Sequence, residues 1–169
     1  MFHDFMVLGG AGLVGTQVCR QIANSISPRR IVVASLFEHE ARSACDRLRT
    51  EFGERIGFVP AWGNLFVPTD LAEMSRQEVL NSRGLRQQLL QFLYGEFEDA
   101  YQANHLVNMI RRHRPDVVVD CVNTATGLFG LEKLIISMLV FGGYCSDRTI
   151  SNHCSGLDFL NYGRVGSSR

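Results

Sequence analysis

Phe5-Met6-Val7-Leu8-Gly9-Gly10-Ala11-Gly12-Leu13-Val14-Gly15 is the stretch on which the reading of this chain turns. An apolar run that stops at two glycines suits a short strand buried on both faces, as in a parallel sheet. Past the glycines, Val14, Val18, Ile22 and Ile26 recur at every fourth residue, an apolar helical face that Pro28 ends. Arg30-Ile31-Val32-Val33-Ala34 reads as a second buried strand. Phe37, Ala41, Ala44, Cys45, Leu48 and Phe52 trace a second amphipathic helix, closed by Gly53. Ile56-Gly57-Phe58-Val59-Pro60 reads as a third strand, with Pro60 at its last position or on an edge, because proline cannot donate to a ladder. This alternation predicts an α/β fold: a parallel sheet with right-handed crossovers and helices on both faces.

Downstream the rhythm loosens. Pro68-Thr69-Asp70 reads as a turn, and Leu85, Leu89, Leu90 and Leu93 predict a helix near residues 84 to 94. Tyr101, Ala103, Leu106, Val107 and Ile110 predict a further helix, ending in Arg111-Arg112-His113-Arg114 before Pro115. A cationic last turn balancing the helix dipole accounts for that cluster more simply than a nucleic-acid patch does. Asp116-Val117-Val118-Val119-Asp120-Cys121-Val122 is the strongest strand, β-branched through its centre. It leads into Asn123-Thr124-Ala125-Thr126-Gly127, a small polar loop at a strand's carboxyl end, where open α/β sheets bind ligands. Residues 131 to 141 suit a helix that is apolar nearly all round, and no period emerges from Ser146 onward. The chain divides into one domain, 1–145, and an atypical, weakly structured tail, 146–169.

Composition narrows the function classes. In 169 residues, 46% hydrophobic and 20% charged, wholesale disorder is excluded. Seventeen basic and seventeen acidic side chains cancel, leaving no net field to steer the chain to nucleic acid or an anionic membrane. The apolar run Leu134 to Phe141 is far short of the ~20 residues that span a bilayer. Met1 to Phe5 carries no basic leader, so the expected compartment is the cytoplasm. Five cysteines (Cys19, Cys45, Cys121, Cys145, Cys154) without a CxxC pair fit reduced thiols. Cys145, His153 and Cys154 lack a fourth ligand at a sensible spacing, so no metal site is expected.

The glycine segment carries both GxxGxxG (Gly9, Gly12, Gly15) and GxGxxG (Gly10, Gly12, Gly15). In such a loop the glycines serve a tight turn, close backbone approach to a pyrophosphate, and close packing of helix on strand. The helix N-terminus then offers free N–H groups to the phosphates. Its place after a strand and before a helix, with a second strand at βαβ spacing, points to dinucleotide binding. The ribose acceptor should lie about twenty residues on, at the end of the second strand. Ser35 stands there, not Asp or Glu, which tilts the choice toward NADP over NAD, with Arg42 available to add charge. Glu38 remains an alternative ribose ligand.

On these residues, and on Asp116 to Asn123, the chain resembles the short-chain dehydrogenase/reductase superfamily, in its extended, epimerase/dehydratase-like branch. The resemblance runs over roughly residues 5 to 127. It implies a Rossmann-like, doubly wound parallel sheet and an NAD(P)-dependent oxidoreductase. It implies cofactor contacts from Gly9, Gly10, Ala11, Gly12, Leu13, Val14 and Gly15. Gly63-Asn64-Leu65 is similar to the family's adenine-contacting Gly-Asp-Leu segment, with amide for carboxylate, which assigns Asn64 and Leu65. Asn123, Thr124 and Ala125 are similar to the small-residue loop that lines the cofactor. The family's catalytic Tyr-x-x-x-Lys is absent: Lys133 is the only lysine, and Tyr94, Tyr101, Tyr144 and Tyr162 are followed four residues later by Glu98, His105, Arg148 and Gly166. Catalytic residues therefore go unassigned and the substrate is unreadable. The expectation is the cofactor half of a larger reductase, its sheet incomplete on the C-terminal side, with either a homo-oligomer or a missing C-terminal substrate domain as its partner. A non-catalytic dinucleotide sensor is the alternative, and an interaction domain using a sheet edge or residues 128 to 145 is a third.

Overall fold

A computed structural model describes residues 3–122 and 150–152. Five strands form one sheet: β1 (Asp4–Leu8), β2 (Arg30–Ser35), β3 (Gly57–Trp62), β4 (Val117–Asp120) and β5 (Ile150–Asn152). The spatial order is β3-β2-β1-β4-β5, and every pairing is parallel. The chain steps outward from β1 through β2 to β3, then returns to place β4 on the other side of β1. This is a Rossmann-like, doubly wound α/β fold, as expected. Among the described strands β3 lies at the edge, which lets Pro60 sit within it opposite Val33, two residues before its end. β5 falls in the stretch that showed no period; three residues are too few to display one.

Strand side chains alternate between two cores. Phe5, Val7, Ile31, Val33, Phe58, Val117 and Val119 face α1 (Leu13–Ser25) and α2 (Glu38–Phe52), meeting Cys19, Ile22, Ala44, Cys45 and Leu48. Met6, Leu8, Val32, Ala34 and Ala61 face the opposite side. That side is covered by α5 (Phe97–Ala103) and α6 (His105–His113), through Ala100, Tyr101, Leu106, Val107 and Ile110. Each fully buried aliphatic side chain contributes about 1.5–3 kcal/mol, so both faces are needed to hold the sheet.

Three local expectations are corrected. The buried face of α1 is Gly15, Thr16, Cys19, Ile22 and Ala23, while Val14 and Ile26 are exposed. Four-residue steps overshoot a 3.6-residue turn, so Val14 and Ile26 diverge by about 120° around the axis. Phe37 lies outside α2, at its N-cap, and is exposed. The single helix expected over Tyr101 to Ile110 is two, because the buried Asn104 interrupts it. Asn104 Oδ1 accepts the Val107 N–H at 3.0 Å, capping α6 while its own N–H ends α5 on Ala100 O. Two further helices complete this side, α3 (Arg76–Asn81), with a Ser75/Glu78 capping box, and α4 (Arg83–Tyr94), which matches the expected helix yet buries none of its residues.

Candidate cofactor site

The strand order reverses between β2 and β4 on either side of β1, and the glycine loop stands at the carboxyl end of β1 at that point. The loop is pinned from both sides: Gly10 N–H donates to Ala34 O at 2.8 Å, and Thr16 Oγ1 donates to Gly10 O at 3.2 Å. Gly9 turns the chain at φ +70°, and a Cβ there would stand 2.9 Å from Cys121 O at the end of β4. At Gly15 a Cβ would stand 2.1 Å from Gly9 O, so helix and loop meet backbone to backbone. Gly12 differs. Among the described residues, a Cβ there would meet one atom, Gly9 O at 3.2 Å.

Gly12 is also the N-cap of α1. Among the described residues no side chain caps the helix, and no acidic residue occupies its first turn. The first-turn N–H groups and the positive end of the dipole therefore face the open space over Gly12, an arrangement that accepts a diphosphate. Ala11 packs partly into the core beneath. Leu13 is 93% exposed, and Val14, Leu36 and Phe37 are also exposed, leaving apolar surface on the loops at this end of the sheet. Nothing in the helical periodicity marked Leu13 and Val14 as surface; their exposure follows from Gly15 turning its own face inward.

Ser35 ends β2 opposite Trp62 of β3. Its hydroxyl donates to Glu40 Oε2 at 2.7 Å, and Arg42 Nε donates to Glu38 Oε1 at 2.7 Å. The Arg42 guanidinium lies 5.2 Å over the Trp62 ring. Glu40 and Trp62 were missed from sequence, although an acidic residue in a first helical turn is a recognisable signal. Gly63 N–H donates to the carbonyls of Ser35 and Leu36, tying the loop after β3 to this corner. Asn64 Oδ1 accepts the Phe66 N–H at 3.0 Å, and Leu65 is buried in the core against α6. The Asn64 amide shapes its own loop, and the Leu65 side chain fills core.

Asp120 ends β4 beside Leu8. Burial pushes its carboxyl above the usual range, against the bond its Oδ1 accepts from Val122 N–H at 2.8 Å. That burial depends on β4 lying inside the sheet and had no sequence signature. Cys19 and Cys45 are buried, their thiols pushed up to about 12 and about 11 by desolvation. Asn123, Thr124, Ala125, Lys133, Cys145, His153 and Cys154 lie outside the described residues, as does most of the 146–169 tail. Among the described residues there is no group of three His, Cys, Asp or Glu that could hold a metal ion, and no helix long and apolar enough to cross a membrane.

Strand order, glycine loop and uncapped helix place this chain among Rossmann-like α/β domains. No family model matches it, and no curated protein does. Among solved structures it is similar to a short-chain dehydrogenase from Sphingobium yanoikuyae in complex with NADPH, at 14% identity and a TM-score of 0.37. The match covers 82% of this chain and 64% of that one.

Proposed function

We propose that this chain is the dinucleotide-binding unit of an oxidoreductase of the short-chain dehydrogenase/reductase type. The observation that carries the reading is the glycine loop at the reversal of strand order, with Gly12 exposed and the N-terminus of α1 uncapped among the described residues. Gly9 through Gly15 would hold the pyrophosphate, and the loops after β2 and β3 the adenosine. Asn123, Thr124 and Ala125 are proposed for the nicotinamide side. The nicotinamide supplies hydride chemistry when bound; the chain's own residues bind and orient it.

In this reading the ribose corner supports NAD rather than the NADP expected from Ser35 and Arg42. Ser35 is engaged by Glu40, and Arg42 by Glu38, so two carboxylates stand against one guanidinium. A 2′-phosphate would be repelled there, whereas ribose hydroxyls can donate to Glu40. Turnover by this chain alone is not expected, because no tyrosine is followed four residues later by lysine. A second polypeptide segment or domain would hold the substrate. Titration of the purified chain with NADH and NADPH tests the reading, and absence of binding to both ends it. Steady oxidation of either with a panel of carbonyl compounds would refute the non-catalytic part.

A further inference from the structure

The opposite edge of the sheet carries a second concave site. Roughly 15 Å from the glycine loop, the length of β1, an open depression of about 720 Å³ is lined by His3, Asp4, Arg29, Arg30, Arg112, His113, Arg114 and Asp116. Four guanidiniums face two carboxylates, in a chain whose overall charge is zero. Both carboxylates are engaged. The buried Asp4 accepts Arg29 Nε at 3.0 Å and Arg30 Nη2 at 2.7 Å, and the Arg29 contact first of all holds its carboxyl below the usual range. Asp116 Oδ2 accepts the backbone N–H groups of His3 and Asp4 at 2.9 and 3.0 Å. Arg112 and Arg114 have no carboxylate at ion-pair distance among the described residues.

Balancing the dipole of α6 accounts for the cationic last turn, as expected, but not for Arg29 and Arg30, which come from the entry to β2. Arg111, in that last turn, is drawn away to Gln102 Oε1 at 2.6 Å and lies over the Tyr101 ring. Arg114 is the C-cap of α6, at φ +47° in the left-handed conformation in which helices commonly end, its N–H donating to Ile110 O. Arg30 is fixed by Asp4 and by the His113 carbonyl at 2.6 Å, and its Nε is buried without a hydrogen-bond partner among the described residues. The His113 imidazole is pushed below its ordinary value by burial and then by Arg112 and Arg30, as expected where cationic charge is in excess.

We propose that this depression is an anion site for a small phosphate-bearing ligand, separate from the dinucleotide site. Arg112 and Arg114 supply charge that no carboxylate among the described residues pairs, and Asp4 holds Arg29 and Arg30 in place beside them. Guanidinium forks match phosphate oxygens in pairs, and the volume suits a small metabolite. Isothermal titration of the full chain with inorganic pyrophosphate at low ionic strength is the test, because pyrophosphate could also occupy the glycine loop. Binding is expected in the wild type and in Gly12→Val, and at least tenfold weaker when Arg112→Gln/Arg114→Gln is added to Gly12→Val, where the glycine loop no longer contributes. These two exposed side chains can be changed without opening the core; thermal melting checks this, and the single Arg112→Gln replaces the double variant if it melts early. No binding by the wild type, undiminished binding by the arginine variants, or loss of binding in Gly12→Val would each overturn the proposal.

Discussion

Replacing Gly12 with valine separates cofactor binding from folding. Gly12 has φ −71° and ψ 172°, extended backbone that any L residue adopts, and an added Cβ meets only Gly9 O at 3.2 Å. The fold should lose about 1 kcal/mol, chiefly because valine is a poorer N-cap than glycine. In a domain of this size that lowers the melting temperature by about 2–4 °C. The ligand meets the same methyls where its phosphate oxygens would approach the first-turn N–H groups. Losing two hydrogen bonds to a charged group, at about 1.5–3 kcal/mol each, weakens binding by at least ~100-fold. Trp62 is the single tryptophan and stands at the ribose corner, so its emission, read against NADH fluorescence and confirmed by calorimetry, follows the titration. Gly15→Ala is the contrast. Its Cβ would lie 2.1 Å from Gly9 O and 2.7 Å from Gly10 Cα, so backbone must move, and binding should fall together with stability. A dissociation constant for Gly12→Val within threefold of wild type, in a variant that melts no more than about 4 °C lower, would show that no pyrophosphate sits on this loop.

Glu40→Gln should raise affinity for NADPH relative to NADH several-fold by removing a charge from the ribose corner; an unchanged ratio measured by parallel titrations would move the ribose contact elsewhere. Asp4→Asn should cost about 1–3 kcal/mol near neutrality through the lost charge-assisted bonds. The folded carboxyl titrates lower than the unfolded one, so this stability is present above about pH 4 and is lost as pH falls through the folded value. Urea unfolding of wild type and variant should accordingly converge in acid, and a constant gap across pH would count against it. Cys19 and Cys45, with thiols pushed to about 12 and about 11, should resist a thiol reagent at neutral pH until the chain unfolds; rapid labelling of either in the native state, located by mass spectrometry, would contradict their burial.

Residues close in sequence determined much of this protein. The apolar run before Gly9, the glycine spacing and the β-branched run Val117-Val118-Val119 foretold β1, α1, β4 and a parallel sheet, because strand burial and helix periodicity are written locally. The face of α2 from Ala41 to Phe52 was legible for the same reason. Tertiary structure decided what depends on distant partners. Which face of α1 turns inward was set by Gly15 meeting the Gly9 carbonyl, not by the Val14-to-Ile26 ladder. Glu40 reaches Ser35 only because α2 starts where β2 ends, and Pro60 is tolerated because β3 lies at the edge. The arginine-lined depression joins residues 3–4, 29–30 and 112–116, segments no local pattern connects. Parallel strands bring their N-terminal ends to one edge, and only that assembly places these charges face to face.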